Sequence, residues 1–195
     1  MPSRLVVLIS GNGSNLQAIL DACAEKTLPA SVVAVVSNKP DAFGLTRARN
    51  AGVNAVYFPK LENESRCDYD TRLAAYVSTC FPDYVVLAGW MRLLSSSFLS
   101  SFPNRVINLH PALPGTFPGT HAIERAYEAF QHGEIDRTGV MIHLVPDEGV
   151  DDGPVLATQE IIFQSDEPPE QFEARVHAVE HWLLVKTLKK VVNGK

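Results

Sequence analysis

The chain has 195 residues, 46% of them apolar and 20% charged, which suits one domain with a substantial core and excludes a disordered or fibrous protein. Lys and Arg total 17 against 22 Asp and Glu, and the net charge of −5, with no basic cluster beyond Lys189-Lys190, argues against a nucleic-acid binder. No apolar run reaches the roughly 18–20 residues that span a bilayer. Cys23, Cys67 and Cys80 are odd in number and widely spaced, so reduced thiols in a soluble cytoplasmic protein are expected.

In chain order, the apolar run at residues 4–10 predicts a first buried strand, and Leu16, Ile19, Leu20 and Cys23 give helical spacing across residues 14–25. Residues 31–37, rich in Val, predict a second strand. A short helix over 42–51 ends at Gly52, and a third strand follows over 53–58. Leu73, Tyr76, Val77 and Cys80 mark one face of a helix over 65–81. Strands are expected at 83–88 and 105–109. This alternation predicts right-handed βαβ units, a parallel sheet and helices on both faces. The second half changes character. A loop containing Pro111, Pro114, Gly115, Pro118 and Gly119 precedes a helix over 122–131. Strands over 139–146 and 154–163 follow, close enough in sequence for an antiparallel hairpin. Pro168-Pro169 opens a last helix carrying Phe172, Val176, Val179, Leu183 and Val191 on its inner face. The expectation is one α/β domain over residues 1–195.

Three loops carry candidate chemistry. Gly11-Asn12-Gly13-Ser14-Asn15 joins the first strand to the first helix, where backbone amides and a helix N-terminus favour an anion. It lacks the third glycine of a dinucleotide fingerprint and the lysine of a P-loop, so a phosphate monoester fits and NAD or ATP does not. A tight turn with Ser14 as the helix cap is the alternative. The second loop starts at Asn108-Leu109-His110-Pro111, after a strand; alternation puts Asn108 and His110 on one face, where an amide and an imidazole can converge. The third, Asp147-Glu148-Gly149-Val150-Asp151-Asp152-Gly153-Pro154, has four carboxylates in six residues and fits either a solvated turn or a carboxylate that orients a histidine. It lacks EF-hand spacing, and no metal site is expected. His110, His121, His132 and His143 recur every eleven residues, but the prolines and strands between them make one shared helix face impossible.

The ordered set Leu8-Ile9-Ser10-Gly11-Asn12-Gly13-Ser14-Asn15-Leu16-Gln17, Ser37-Asn38-Lys39, Leu87-Ala88-Gly89-Trp90-Met91-Arg92-Leu93-Leu94, Asn108-Leu109-His110-Pro111, Phe117-Pro118-Gly119 and Val179-Glu180-His181 resembles the phosphoribosylglycinamide formyltransferases. The match runs through nearly the whole chain. It implies a Rossmann-like formyltransferase fold, mostly parallel with a C-terminal antiparallel hairpin. It also implies transfer of a formyl group from the co-substrate 10-formyltetrahydrofolate to the amine of 5′-phosphoribosylglycinamide in purine synthesis. Asn108, His110 and Asp151 then correspond to the catalytic residues, and Gly13, Ser14, Asn15 and Glu180 to the phosphoribosyl site. Arg66, Met91, Arg92, Leu93, Leu94, Asn108, Asp147, Glu148, Gly149, Val150 and Asp151 correspond to the folate site. Residues 1–104 would form the phosphoribosyl half and residues 105–195 the catalytic and folate half. The partners implied are the two small molecules, with neither nucleic acid nor membrane, and a monomer or homodimer.

Two local features differ from the family pattern: Ala112-Leu113-Pro114-Gly115 replaces Ser-Leu-Leu-Pro, and Asp152 adjoins Asp151. Asp151 is chosen because it keeps the Asp-x-Gly-Pro spacing. Trp90 suits either the pterin or the core. A methionyl-tRNA formyltransferase would need a further C-terminal domain, and a formyltetrahydrofolate hydrolase an N-terminal one. A sugar-nucleotide formyltransferase is a nearer rival, and a non-catalytic phosphoribosyl-binding module would leave Asn108, His110 and Asp151 without a role. In the formyl-transfer reading, Asn108 and a protonated His110 stabilise an oxyanion, and Asp151 raises the pKa of His110 or relays a proton through water.

Overall fold

A computed structural model describes residues 1–194. The elements are β1 (Ser3–Ile9), α1 (Ser14–Ala24), β2 (Ala30–Ser37), α2 (Phe43–Asn50), β3 (Ala55–Tyr57), α3 (Arg66–Thr79), β4 (Tyr84–Leu87), α4 (Ser96–Leu99), β5 (Val106–His110), α5 (Ala122–Gln131), β6 (Arg137–Leu144), β7 (Val155–Ile162) and α6 (Pro169–Asn193). The strands form one seven-stranded sheet in the order β3-β2-β1-β4-β5-β6-β7. Pairing is parallel from β3 through β5 and antiparallel between β5 and β6 and between β6 and β7.

β1 is apolar from Leu5 to Ile9 because it serves two cores. Leu5, Val7 and Ile9 pack with α1 and α6 on one face, while Val6 and Leu8 pack with Tyr69, Leu73 and Val77 of α3 on the other. Such burial on both faces is what a continuous apolar run requires of a central parallel strand. α3 starts where expected, because the Ser65 hydroxyl accepts the Asp68 amide at 3.1 Å.

Two features depart from the sequence expectations. β3 has only three residues, and the four-residue helix α4 has no counterpart among the expected elements. Its Ser-rich sequence has little helical preference. Burial of Phe98 and Leu99, and the Ser95 amide donating to Asp70 Oδ2 at 2.6 Å, fix it from outside. Among the described residues no helix is long and apolar enough to cross a membrane.

The last helix is tied down by aromatic packing. Phe130 and Phe163 stack at 4.3 Å between ring centroids, and Phe163 and Phe172 at 4.5 Å, which joins α5, the end of β7 and α6. Phe172 is fully buried at the centre of this contact. Phe172→Ala is expected to cost about 3–5 kcal/mol of stability through lost contacts and a residual cavity. Urea unfolding measures it, and a loss under about 1 kcal/mol would contradict this account of how α6 is held.

Candidate active site

The sheet's change from parallel to antiparallel pairing builds the site. β5 carries Asn108 and His110 on the same face, and β6 runs back beside it with His143 directly opposite Asn108. The loop after β6 then returns Asp151 to both strands. Its carboxylate lies 3.3 Å from His110 Nδ1 through Oδ2 and 3.5 Å from His143 Nε2 through Oδ1. The Asn108 side-chain amide donates to Asp151 Oδ1 at 3.0 Å, and the Gly119 backbone amide donates to Oδ2 at 2.8 Å. Asp152 has no place in this cluster; geometry separates the two adjacent acids.

Hydrogen-bond chemistry fixes the tautomer of His143. Its Nδ1 lies 2.8 Å from the Leu144 carbonyl, which only accepts, so Nδ1 carries the proton. Nε2 is then an acceptor for the Asn108 amide at 3.1 Å. Both amide hydrogens of Asn108 are therefore engaged inside the cluster, and donating to a ligand requires that one be released. Sequence reasoning passed over His143. The signal was the antiparallel register, which brings His143 to Asn108 by strand pairing and not by the eleven-residue recurrence.

Asp151 does pull the His110 pKa upward, as the sequence suggests, but the net shift runs the other way. Burial favours the neutral ring and pulls its pKa below the ordinary histidine value, outweighing the opposing pull of Asp151 and of the Phe117 carbonyl. Those two groups still face both ring nitrogens, because His110 Nε2 donates to the Phe117 carbonyl at 3.0 Å while Nδ1 faces Asp151. The ring thus sits in the hydrogen-bonding frame of an imidazolium while its burial resists the charge. For Asp151, burial pushes the pKa up, but the hydrogen bond from the Gly119 amide and the nearby imidazoles together hold it below the usual carboxylate range.

Two cavities adjoin here, and the cluster lines the first. The first, about 240 Å³, is lined by Met91, Arg92, Leu93, Leu94, Asn108, His110, His143 and residues 147–151. Every residue assigned to the folate site lines it except Arg66, which pairs with Glu148 at its mouth; the Ser96 amide donates to the same carboxylate at 2.8 Å. The Arg92 guanidinium lies 4.6 Å above the Tyr69 ring. Trp90 also borders this cavity but is mostly buried against α3 and α4.

The second cavity is lined by Gly13, Ser14, Asn15, Glu173, His177 and Glu180, and shares Gly89, Met91, Leu109 and Pro111 with the first. Gly13, not Ser14, is the cap of α1: its φ is 76° and no side chain caps the helix, so the first amides of α1 lack a protein partner of that kind. A Cβ at Gly13 would lie 2.7 Å from the Gly44 Cα, so both its conformation and its surroundings demand glycine. The Asn15 amide donates to Glu180 Oε2 at 3.1 Å, and His177 Nδ1 lies 2.7 Å from the same oxygen. That contact with Glu180 raises the His177 pKa. Both cavities draw residues from either side of position 104. The altered segment after Pro111 forms a tight turn, with Pro114 and Gly115 (φ 78°) at its centre and the Thr116 amide donating to the Leu113 carbonyl at 3.0 Å. Among the described residues no group of three or more His, Cys, Asp or Glu side chains could hold a metal ion.

The model of the formyl transferase family matches residues 3–188. The chain belongs to the formyl transferase family. It is 42% identical to the phosphoribosylglycinamide formyltransferase of Schizosaccharomyces pombe, over 98% of each chain. Against the enzyme of that name from Escherichia coli it is 40% identical, over 98% of this chain and 88% of the other. The glycinamide ribonucleotide transformylase 1 of Symbiobacterium toebii superposes with a TM-score of 0.92 at 38% identity, covering 99% of this chain and 89% of that one.

Because burial lowers the His110 pKa, the unfolded chain binds that proton first on acidification, so His110 subtracts stability as pH falls through the ordinary histidine range. His110→Gln is therefore expected to lose less stability than the parent between about pH 7 and about pH 5.5. Urea midpoints at the two pH values test this, and equal slopes would contradict it.

Proposed function

We propose that this protein transfers the formyl group of 10-formyltetrahydrofolate to the glycine amine of 5′-phosphoribosylglycinamide, giving the formylated amide and tetrahydrofolate in purine synthesis. One observation carries the reading: the His110–Asp151 pair lines a cavity that shares Gly89, Met91, Leu109 and Pro111 with a second, which opens on the uncapped start of α1. The phosphate is assigned to the amides around Gly13, Ser14 and Asn15, and the ribose hydroxyls to Glu180. Folate is assigned to the wall made by residues 91–94 and the hairpin loop, with Arg66 and Glu148 at the rim. A cytoplasmic location and a monomer or homodimer belong to the same proposal.

In this mechanism the amine attacks the formyl carbon, the carbonyl π pair becomes an oxyanion, and the nitrogen becomes cationic. The oxyanion draws the His110 pKa back up and is met by an imidazole N–H and an Asn108 hydrogen, each released from the partner it holds in the cluster. Asp151 keeps the ring oriented and takes up the ammonium proton, directly or through a water. Collapse of the tetrahedral intermediate re-forms the carbonyl and expels the folate nitrogen with its bond pair, and Asp151 returns to that nitrogen the proton taken from the ammonium, directly or through the same water.

Incubation with 10-formyltetrahydrofolate and 5′-phosphoribosylglycinamide, following the appearance of tetrahydrofolate, tests the reading; no amine-dependent turnover would overturn it. His110→Ala and Asp151→Asn are each expected to lower kcat roughly 10²–10⁴-fold, and the double variant to be scarcely worse, since the two act as a unit. Multiplicative losses would assign them independent roles. Glu180→Ala is expected to raise KM for the phosphoribosyl substrate roughly tenfold or more, the scale of a lost charged hydrogen bond, with folate affinity near the parent's. An unchanged KM would make Glu180 a structural partner of Asn15 and His177 alone.

A further inference from the structure

The loop before α5 contributes to the reacting centre only through its backbone. The Phe117 carbonyl receives His110 Nε2 at 3.0 Å, and the Gly119 amide donates to Asp151 Oδ2 at 2.8 Å. Three consecutive residues therefore set both the imidazole and the carboxylate. Their conformation is not one the chain adopts without help. Phe117 has a φ of 46°, unusual for a bulky L residue unless its surroundings impose it, and Gly119 follows at 80°.

What imposes it is on α5. Arg125 Nη2 donates to the Phe117 carbonyl at 2.8 Å and to the Pro118 carbonyl at 2.7 Å, with the guanidinium 5.9 Å from the Phe117 ring centroid. Its Nε is buried with no hydrogen-bond partner. A buried donor left unpaired is unfavourable, so the side chain is held where it is by the two carbonyls rather than by its own best solvation.

We propose that Arg125 is a positioning residue for the reacting centre: its guanidinium clamps the Phe117 and Pro118 carbonyls and, through that loop, sets the ring of His110 and the carboxylate of Asp151. This rests on the reading of His110 and Asp151 as the groups that act on the formyl carbon. Arg125 acts on His110 in two ways. It occupies the Phe117 carbonyl that His110 also uses, and it adds a positive charge that disfavours the imidazolium. The charged and titratable groups facing His110 are Asp151 from the hairpin loop, His143 from β6 and Arg125 from α5. Glu124, on the exposed side of α5, is paired with His121. Removing Arg125 takes away the opposing cation and leaves the Phe117 carbonyl to His110 alone, so the His110 pKa moves upward.

The test compares Arg125→Ala, Arg125→Gln and Arg125→Lys with the parent. In Arg125→Ala, kcat is expected to fall roughly 10–100-fold, the scale of a small misplacement of reacting groups, with both KM values within about twofold. Lysine retains a cation able to donate to both carbonyls, so Arg125→Lys should recover most of the rate, whereas the neutral Arg125→Gln should not. The histidine ring resonances of the ligand-free protein give a readout independent of turnover: the His110 titration should move up in the alanine and glutamine variants and stay near the parent's in the lysine variant. Should Arg125→Ala fail to fold, the glutamine and lysine pair carries the same comparison. Parent-like kcat and titration in the folded neutral variants would overturn the proposal, as would a defect confined to KM with the titration unmoved. A parent protein without formyl transfer would overturn the functional reading instead, and the titration arm would then decide the role of Arg125.

Discussion

A carboxylate with little solvent around it must be satisfied by fixed donors, and at the carboxyl end of the parallel strands that constraint organises everything else. Asp151 accepts from an amide side chain and a backbone amide and lies beside two imidazoles, the four drawn from β5, β6 and the loop before α5. Of these elements only β6 adjoins the hairpin loop of Asp151 in sequence. The hairpin loop has to lie against β5, the loop has to cross above it, and His143 has to face Asn108, or a buried charge is left exposed to a low-dielectric interior. The same constraint explains why Asp151 itself has a φ of 55°. Its backbone conformation follows from where its carboxylate must go.

The antiparallel strands matter for the same reason. Parallel strands deliver side chains to one end of a sheet in a single direction, which suffices for the Gly11–Asn15 turn after β1 and the Gly89–Leu94 segment after β4. Bringing a carboxylate back over His110 needs a strand that runs the other way, and β6 and the hairpin loop supply it. The two cavities consequently share a wall at Gly89, Met91 and Leu109, and one ligand's reactive atom can meet the other's across it.

Much of this was legible in the sequence, and the exceptions have physical causes. The double-faced burial of β1 is written in its unbroken apolar run, and the hairpin in the short acidic link between two apolar stretches. Asn108 and His110 could be placed on one face from alternation alone. α4 could not be found, since packing of Phe98 and Leu99 creates it against the preference of its serines. His143 and Arg125 belong to the cluster and its frame through pairings across 35 residues and across a loop, and no local pattern encodes either. The direction of the His110 pKa was likewise hidden: a neighbouring acid can be guessed from sequence, but the degree of burial that outweighs it cannot.

The stacked rings of Phe130, Phe163 and Phe172 link α5, the end of β7 and α6, and both helices line the cavity at the start of α1. Those walls therefore open as one cooperative unit and not helix by helix. Amide hydrogen exchange should report a common opening free energy for the cores of α5 and α6. A ligand spanning the cavity would slow exchange in both helices together, including at amides far from any atom it touches.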